Sequence, residues 1–228
     1  MDSLTLLSIF ITITVYIGAI KLAKHVPSPF TTPILTATIV IIAILSSLHI
    51  SYKQYATAKD WMTFLLGPAT VALALPMYKN QSIIRERLKP AVLGLAIGTI
   101  ATMTSAVWLS KALGLSDTIQ AASAVKAVTT PVAIEAAALI GGDPALAAAF
   151  VITAGIFGAV LGPILLTCMK ITDPFSRGLS IGTVSHGIGT SQIMTEGPVQ
   201  GAVSSLAMGF AAIITSILLP WIYPLIQF

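Results

Sequence analysis

Residues 118–142 read TIQAASAVKAVTTPVAIEAAALIGG, an apolar stretch that carries a lysine, a glutamate and a central proline. About 20 apolar residues in a helix cross a ~30 Å hydrocarbon core, so this stretch is long enough to span a membrane. Pro131 has no N–H and disfavours helical backbone at Thr130, so a helix here is predicted to break or kink near residues 129–131. The stretch therefore predicts a broken helix at membrane depth.

Further apolar runs that lack Asp, Glu, Lys and Arg lie on both sides of this stretch. The chain of 228 residues is 56% hydrophobic and 9% charged, whereas a soluble domain is about 25% charged. We therefore predict an all-α membrane protein of about eight transmembrane spans in a single domain over residues 1–228. Beside residues 118–142, the spans are Leu4–Ile20, Val26–Leu48, Trp61–Tyr78, Pro90–Ser110, Pro144–Met169, Gly178–Thr195 and Gly197–Phe228.

Three short motifs occur twice in the same order along the chain. They predict a repeat whose first copy covers about residues 26–111 and whose second covers about 117–195. The copies are three spans apart, so the second would cross the membrane in the opposite sense, as in many secondary transporters. The alternative is coincidental similarity between glycine-rich apolar helices. The pairs are Phe30–Ile34 with Val128–Val132, Leu66–Ala69 with Leu161–Ile164, and Gly94–Thr99 with Gly178–Thr183.

The break near Pro131 is the first candidate binding site. A broken helix frees backbone N–H groups and gives the following half-helix a partly positive N-terminus, which suits an anion. Thr129 and Thr130 add hydroxyl groups, and Lys126 adds a full charge that costs at least about 2.5–3.5 kcal/mol at mid-bilayer. These residues predict a carboxylate or phosphate site. Alternatively, Lys126 pairs with Glu135 at a simple proline kink. Glu135 could otherwise carry a proton or point toward the interface.

The second candidate site is the stretch GTVSHGIGT at residues 182–190. Each interior glycine costs a helix about 1 kcal/mol relative to alanine, so this stretch predicts unwound backbone. Its imidazole titrates near neutrality and could donate to a carboxylate or carry a coupling proton. The alternative is a histidine that only satisfies a neighbouring helix. The candidate residues are Thr183, Ser185, His186, Gly187, Gly189 and Thr190.

Several other kinds of function find no support in the sequence. The lone Cys168 excludes an intramolecular disulfide, and no His, Cys or Asp spacing suits zinc, so neither a metal nor a cofactor is expected. No nucleophile or phosphate-loop motif is present, and we predict that the protein is not an enzyme. The net charge of +4 comes largely from residues 79–89, a loop between spans, and predicts membrane orientation rather than nucleic-acid binding.

This loop places the N-terminus outside under the positive-inside rule, and Lys21 and Lys24 agree with that orientation. On a count of eight spans, however, Lys170 and Arg177 fall outside, which disagrees mildly with it. No cleavable signal or transit peptide is predicted at the N-terminus.

Several motifs together resemble the LrgB/CidB family over essentially the whole chain. The resemblance implies a bacterial inner-membrane protein of holin-like or antiholin-like type, linked to autolysis and murein hydrolase control, with a small LrgA/CidA-type membrane partner. Plant members are plastidial glycolate/glycerate translocators, and bacterial members are linked to pyruvate transport. Ala127 stands where serine is common in the family. The motifs are Leu65–Ala74, Lys126–Pro131, Ile140–Gly142, Gly182–Thr190 and Leu206–Gly209.

Residues and resemblance together predict a secondary carrier for small monocarboxylates of the pyruvate, glycolate and glycerate class, with coupling to protons as an option. Lys126, Thr129 and Thr130 would bind the carboxylate, facing Ser185, His186 and Thr190. Partners would be this organic anion, the small membrane protein, the lipid bilayer and a second copy of the chain. The alternative is a holin/antiholin-like regulator of murein hydrolase activity and autolysis that acts with the small partner.

Overall fold

Helices make up almost all of the computed structural model, which describes residues 2–26 and 28–227, and no strand occurs among them. The predicted all-α membrane class is confirmed. A short 3-10 helix covers Pro29–Thr31. The α-helices are α1 Ser3–His25, α2 Pro33–Ser47, α3 Tyr52–Phe64, α4 Leu66–Ala72, α5 Ala74–Lys79, α6 Gln81–Glu86, α7 Leu88–Ala112, α8 Asp117–Ala124, α9 Thr130–Leu139, α10 Pro144–Cys168, α11 Pro174–Ile193 and α12 Pro198–Gln227.

In the described part of the chain, five helical stretches are long and apolar enough to cross a membrane. Shorter apolar helices cover Pro33–Ser47 and Thr130–Leu139. The five long stretches are Ser3–His25, Tyr52–Lys79, Leu88–Ala112, Pro144–Cys168 and Pro198–Gln227.

The chain divides into two compact units, residues 1–75 and 76–228. In the first unit, α1 packs against α2 and α3. The hydroxyls of Thr12 and Tyr55 lie 2.9 Å apart, which joins α1 to α3. Ser51 and Gln54 form a capping box that begins α3. This unit therefore has its own helix packing, while both candidate sites lie in the second unit.

In the second unit, residues 117–142 form a helical hairpin, which we call the first hairpin. Helices α8 and α9 are separated by a turn at residues 125–129. Beyond α9, Gly142 lies so close to α8 that an added Cβ would be 2.9 Å from the Ala122 nitrogen. A straight helix would place residues 121 and 142 about 30 Å apart. The stretch that predicts a broken span therefore folds back on itself, with its tip at residues 125–129.

Residues 174–196 form a second hairpin. His186 has φ 40° and ψ −138°, which interrupts α11. The Arg177 guanidinium and the Glu196 carboxylate meet at 2.6 Å, although a straight helix would separate these residues by about 28 Å. Ile181 and Ile193 also pack in one apolar cluster. Two of the eight predicted spans thus fold back instead of crossing as single straight helices.

Close glycine packing holds the second hairpin against α12. A Cβ added at Gly178 would lie 2.5 Å from the Gln200 carbonyl oxygen, and one added at Gly182 would overlap the Ser204 carbonyl oxygen. Small residues at such positions let helix backbones approach closely in membranes. Gly178 and Gly182 therefore hold this hairpin tightly against α12.

Candidate functional site

The tip of the first hairpin presents the lysine predicted from the sequence. Lys126 is half-buried between the buried residues Val125 and Ala127. Its Nζ donates a hydrogen bond of 2.8 Å to the Thr102 carbonyl oxygen of α7. Lys126 forms no ion pair among the described residues, and Glu135 is exposed on α9. Among the described residues the structure thus shows no Lys126–Glu135 ion pair.

The break lies at residues 125–129, a few residues before the predicted 129–131. Thr129 is the N-cap of α9 with extended backbone, and Pro131 lies in the first turn. Proline is favoured there because N–H groups of the first turn have no partner in the helix. Pro131 therefore starts α9 rather than interrupting it. Thr129 and Thr130 are half-buried next to the tip, whereas Pro131 is exposed.

His186 forms the tip of the second hairpin and is buried. Its Nε2 lies 3.0 Å from the Val151 carbonyl oxygen of α10. Gly155 faces the ring so closely that an added Cβ would lie 2.8 Å from Cε1. A non-glycine residue with positive φ is strained by about 1–3 kcal/mol, and such strain is concentrated at functional sites. The predicted unwound backbone is thus confined to this one residue.

The small polar residues around His186 mostly support the hairpin itself. Thr183 donates to the Leu179 carbonyl oxygen at 2.6 Å. Thr190 donates to the His186 carbonyl oxygen at 2.7 Å and meets the Ser204 hydroxyl at 2.8 Å. Both threonine hydroxyls are thus hydrogen-bonded within the protein, and in this conformation they stabilise the hairpin.

The three remaining candidates of this stretch lie in close packing. Ser185 is buried against Gly158 of α10, and Gly189 packs on Ser185. Gly187 leaves space up to the Met208 sulfur, 3.5 Å from an added Cβ. Of the two glycines, Gly187 alone has room for a Cβ, which would be in ordinary van der Waals contact with that sulfur.

The two tips contact the same pair of helices. On α7, Thr102 accepts from Lys126, and Gly98 faces Thr183 across a close contact. On α10, Val151 accepts from His186 through its carbonyl, while its side chain shares an apolar cluster with Val125 and Val128 of the first tip. In the described chain the tips are thus linked through α7 and α10, with no hydrogen bond between Lys126 and His186.

Thr99 is a further candidate residue, which the sequence alone did not single out. It is 3% exposed on α7, one turn before Met103, which packs in the same cluster as Val125 and Val128. Its hydroxyl has no hydrogen-bond partner among the described residues. A buried polar group without a partner costs about 1–3 kcal/mol and calls for a bound water, ion or ligand. Thr99 is the last residue of the repeated motif Gly94–Thr99, and this was the sequence signal that could have identified it.

Glu135 and Pro131 line a groove between α9 and α12. The groove has a volume of about 370 Å³ and is otherwise lined mostly by apolar side chains. Pro220 in its wall removes a helical N–H four residues after Ser216, which frees a backbone carbonyl. The structure thus separates Glu135 from the other two ionisable candidates.

The sequence indicated Arg177 only as a positive charge between spans. In the structure, Arg177 holds together the two ends of the second hairpin. Nε and one terminal nitrogen bind both oxygens of Glu196 at 2.7 and 2.6 Å. The remaining N–H groups donate to the carbonyls of Pro163 and Ile171 and to the Thr167 hydroxyl. No group of three or more His, Cys, Asp or Glu that could hold a metal occurs within the described residues.

Two helical hairpins with tips against the same membrane-length helices define a polytopic membrane protein with a buried polar site. The LrgB-like family model matches residues 12–225, and the chain belongs to this family. It is 36% identical to the uncharacterized protein YxaC of Bacillus subtilis, over 96% of this chain and 97% of that protein. It is 31% identical to the holin-like protein CidB of Staphylococcus aureus N315, over 94% of each chain. No solved structure matches.

Proposed function

We propose that this chain is a holin-like or antiholin-like membrane protein that controls murein hydrolase activity and autolysis together with a small LrgA/CidA-type membrane partner. The support is the family membership and the similarity to holin-like CidB along almost the whole length of both chains. This support favours the regulatory hypothesis over the carrier.

A second proposal concerns the molecular event behind that role: the chain carries a small monocarboxylate such as pyruvate, glycolate or glycerate. The observation behind it is Lys126, a half-buried ammonium whose described partner is one neutral carbonyl. An ammonium has three N–H donors, so two remain for a ligand. A carboxylate would neutralise the charge and form charge-assisted hydrogen bonds.

Thr99 would form a hydrogen bond with the second polar group of such an anion. Its hydroxyl is buried on α7, three residues before the carbonyl that Lys126 binds. A hydroxyl both donates and accepts, so it suits a 2-oxo or a 2-hydroxy group. The half-buried Thr129 and Thr130 would contact the carboxylate from the first tip, and His186 would contact it or carry a coupled proton from the second.

One experiment separates the two proposals. Purified protein is placed in proteoliposomes loaded with carboxyfluorescein, alone and with the small partner, and dye release is recorded beside uptake of labelled pyruvate. A carrier gives saturable pyruvate uptake without dye release. A holin-like pore releases dye and shows no saturation. Folded protein that gives neither signal under both conditions would refute a direct permeation role and leave regulation through a partner.

The matched control for Lys126 is Lys111. Its Nζ also donates to a single backbone carbonyl, that of Gln227 at 3.1 Å, but the residue lies at the exposed end of α7. If the carrier proposal is correct, Lys126→Met abolishes saturable uptake while Lys111→Met retains it. The regulatory role is measured separately, as detergent-induced lysis of cells that express the protein with its partner.

A further inference from the structure

The start of α7 and the start of the second hairpin lie at one end of the second unit, which we call the basic face. The Arg87 guanidinium binds both carboxylate oxygens of Asp173, each at 3.1 Å. Ala91 of α7, Phe175 of α11 and Ala202 of α12 share one apolar cluster. The second hairpin therefore enters from the end at which α7 and α12 begin.

The end of α7 and the base of the first hairpin lie at the other end, which we call the opposite face. Only residues 113–116 separate α7 from α8, and the Gln120 side-chain amide donates a hydrogen bond of 2.8 Å to the Leu115 carbonyl oxygen. Lys111 reaches the carbonyl of Gln227 at the end of α12. The first hairpin thus enters from the end at which α7 and α12 finish and α10 begins.

The two tips reach similar depths from these opposite faces. Lys126 binds Thr102, which lies about 15 Å along α7 from its end at the opposite face. His186 contacts Val151 and Gly155, which lie about 10 and 16 Å along α10 from its beginning at the same face. Two hairpins that enter from opposite sides therefore end at similar depths, and Val151 of α10 links both tips.

The basic residues of the second unit are distributed unequally between the faces. Lys111 lies at the opposite face, Lys126 lies at the tip, and the remaining six lie at the basic face. Because positive segments remain in the cytoplasm, this asymmetry makes the basic face cytoplasmic. On a count of eight straight spans, Lys170 and Arg177 fell outside. Because residues 118–142 return to the face from which they enter, both residues now lie on the cytoplasmic side. The six are Lys79, Arg85, Arg87, Lys89, Lys170 and Arg177.

We propose that the first hairpin opens the tip site to the outside and the second hairpin opens it to the cytoplasm. Each hairpin follows a long helix, α7 or α10, so residues 88–142 and 144–196 form two helix-plus-hairpin units of opposite orientation. Irregular backbone at membrane depth is tolerated where it is buried in protein or lines a cavity. The access role rests on the carrier function proposed above, whereas the topology does not depend on it.

The topology is tested by single cysteines in a Cys168→Ser background. Ser116→Cys and Ala145→Cys flank the first hairpin, and Lys170→Cys and Thr195→Cys flank the second; all four positions are exposed. A membrane-impermeant maleimide should label the first pair in intact cells and the second pair in inside-out vesicles. Labelling of the two members of either pair from different sides would overturn the proposal, because that stretch would then cross the membrane.

The access role is tested at the tips in the same background. Thr129→Cys should react with an anionic methanethiosulfonate applied from outside, and Gly187→Cys with the reagent applied from the cytoplasmic side. Pyruvate should slow both reactions at least several-fold. Reaction of both tips from one side only would overturn the two-gate proposal. Labelling of the flanking pairs as expected, without protection by pyruvate, would refute the carrier and leave the topology standing.

Discussion

Gly158 of α10 provides the sharpest test of how the tip of the second hairpin packs against α10. A Cβ added at Gly158 would overlap the Ser185 hydroxyl and lie 2.7 Å from the Ser185 Cβ. Rotation of the serine moves its hydroxyl but not its Cβ. Contacts below 3.4 Å are tighter than nearly all real Cβ contacts, so the hairpin would have to move by about 0.7 Å. Overpacking of this kind costs about 1–3 kcal/mol.

We therefore expect Gly158→Ala to lower the thermal midpoint of detergent-solubilised protein and to reduce function. Gly209→Ala in α12 is the matched control, because an added Cβ there meets nothing within 4 Å. Adding Ser185→Gly to Gly158→Ala should restore the midpoint in part, since the Ser185 Cα lies at an ordinary 3.7 Å. A Gly158→Ala protein as stable and active as the Gly209→Ala control would refute the seating of this hairpin.

Three further outcomes follow. Gly182→Ala should lower the thermal midpoint more than the control above, because the added Cβ meets a backbone carbonyl of α12 that cannot rotate away. Arg177→Met should destabilise by about 1–3 kcal/mol and speed hydrogen exchange in the second hairpin, since the partly exposed Glu196 carboxylate and two backbone carbonyls lose their donor; adding Glu196→Gln should recover part of the loss. Ser176, then Arg87, hold the pKa of Asp173 below its usual 3.8. This contribution to stability is full above that value and fades as the pH falls below it, so Asp173→Asn, which keeps a good N-cap, should flatten the acid limb of a melting curve measured against pH.

The sequence predicts the membrane class and the breaks because hydropathy and proline chemistry act locally. A stretch of 25 residues such as 118–142 fits either one crossing or a hairpin. What decides between them is tertiary contact, namely Gly142 against α8 and Arg177 with Glu196 across 19 residues. Those contacts join residues far apart in the chain and therefore leave no local pattern in the sequence. The Thr102 and Val151 carbonyls are backbone acceptors that any residue type could provide, so no sequence signal marks them.

The sequence also could not predict which way the Glu135 side chain points, because that depends on how α9 is rotated about its axis against α12. The repeat retains one local similarity in the structure: Thr32 precedes α2 and Thr129 precedes α9, each with a proline in the first turn. By contrast, Gly94–Thr99 lies in the straight α7 and Gly178–Thr183 in a hairpin. The repeat over residues 26–111 and 117–195 stays a prediction.

The carrier proposal requires that Lys126, at the tip of a hairpin, binds a small carboxylate. Equilibrium binding of radiolabelled pyruvate to purified, folded protein tests it most directly, with the Lys111→Met variant as the control. We expect saturable binding by the wild type and by Lys111→Met, and at least a tenfold loss of affinity in Lys126→Met, equal to about 1.4 kcal/mol. Equal binding by all three proteins, or no saturable binding by the wild type, would contradict it.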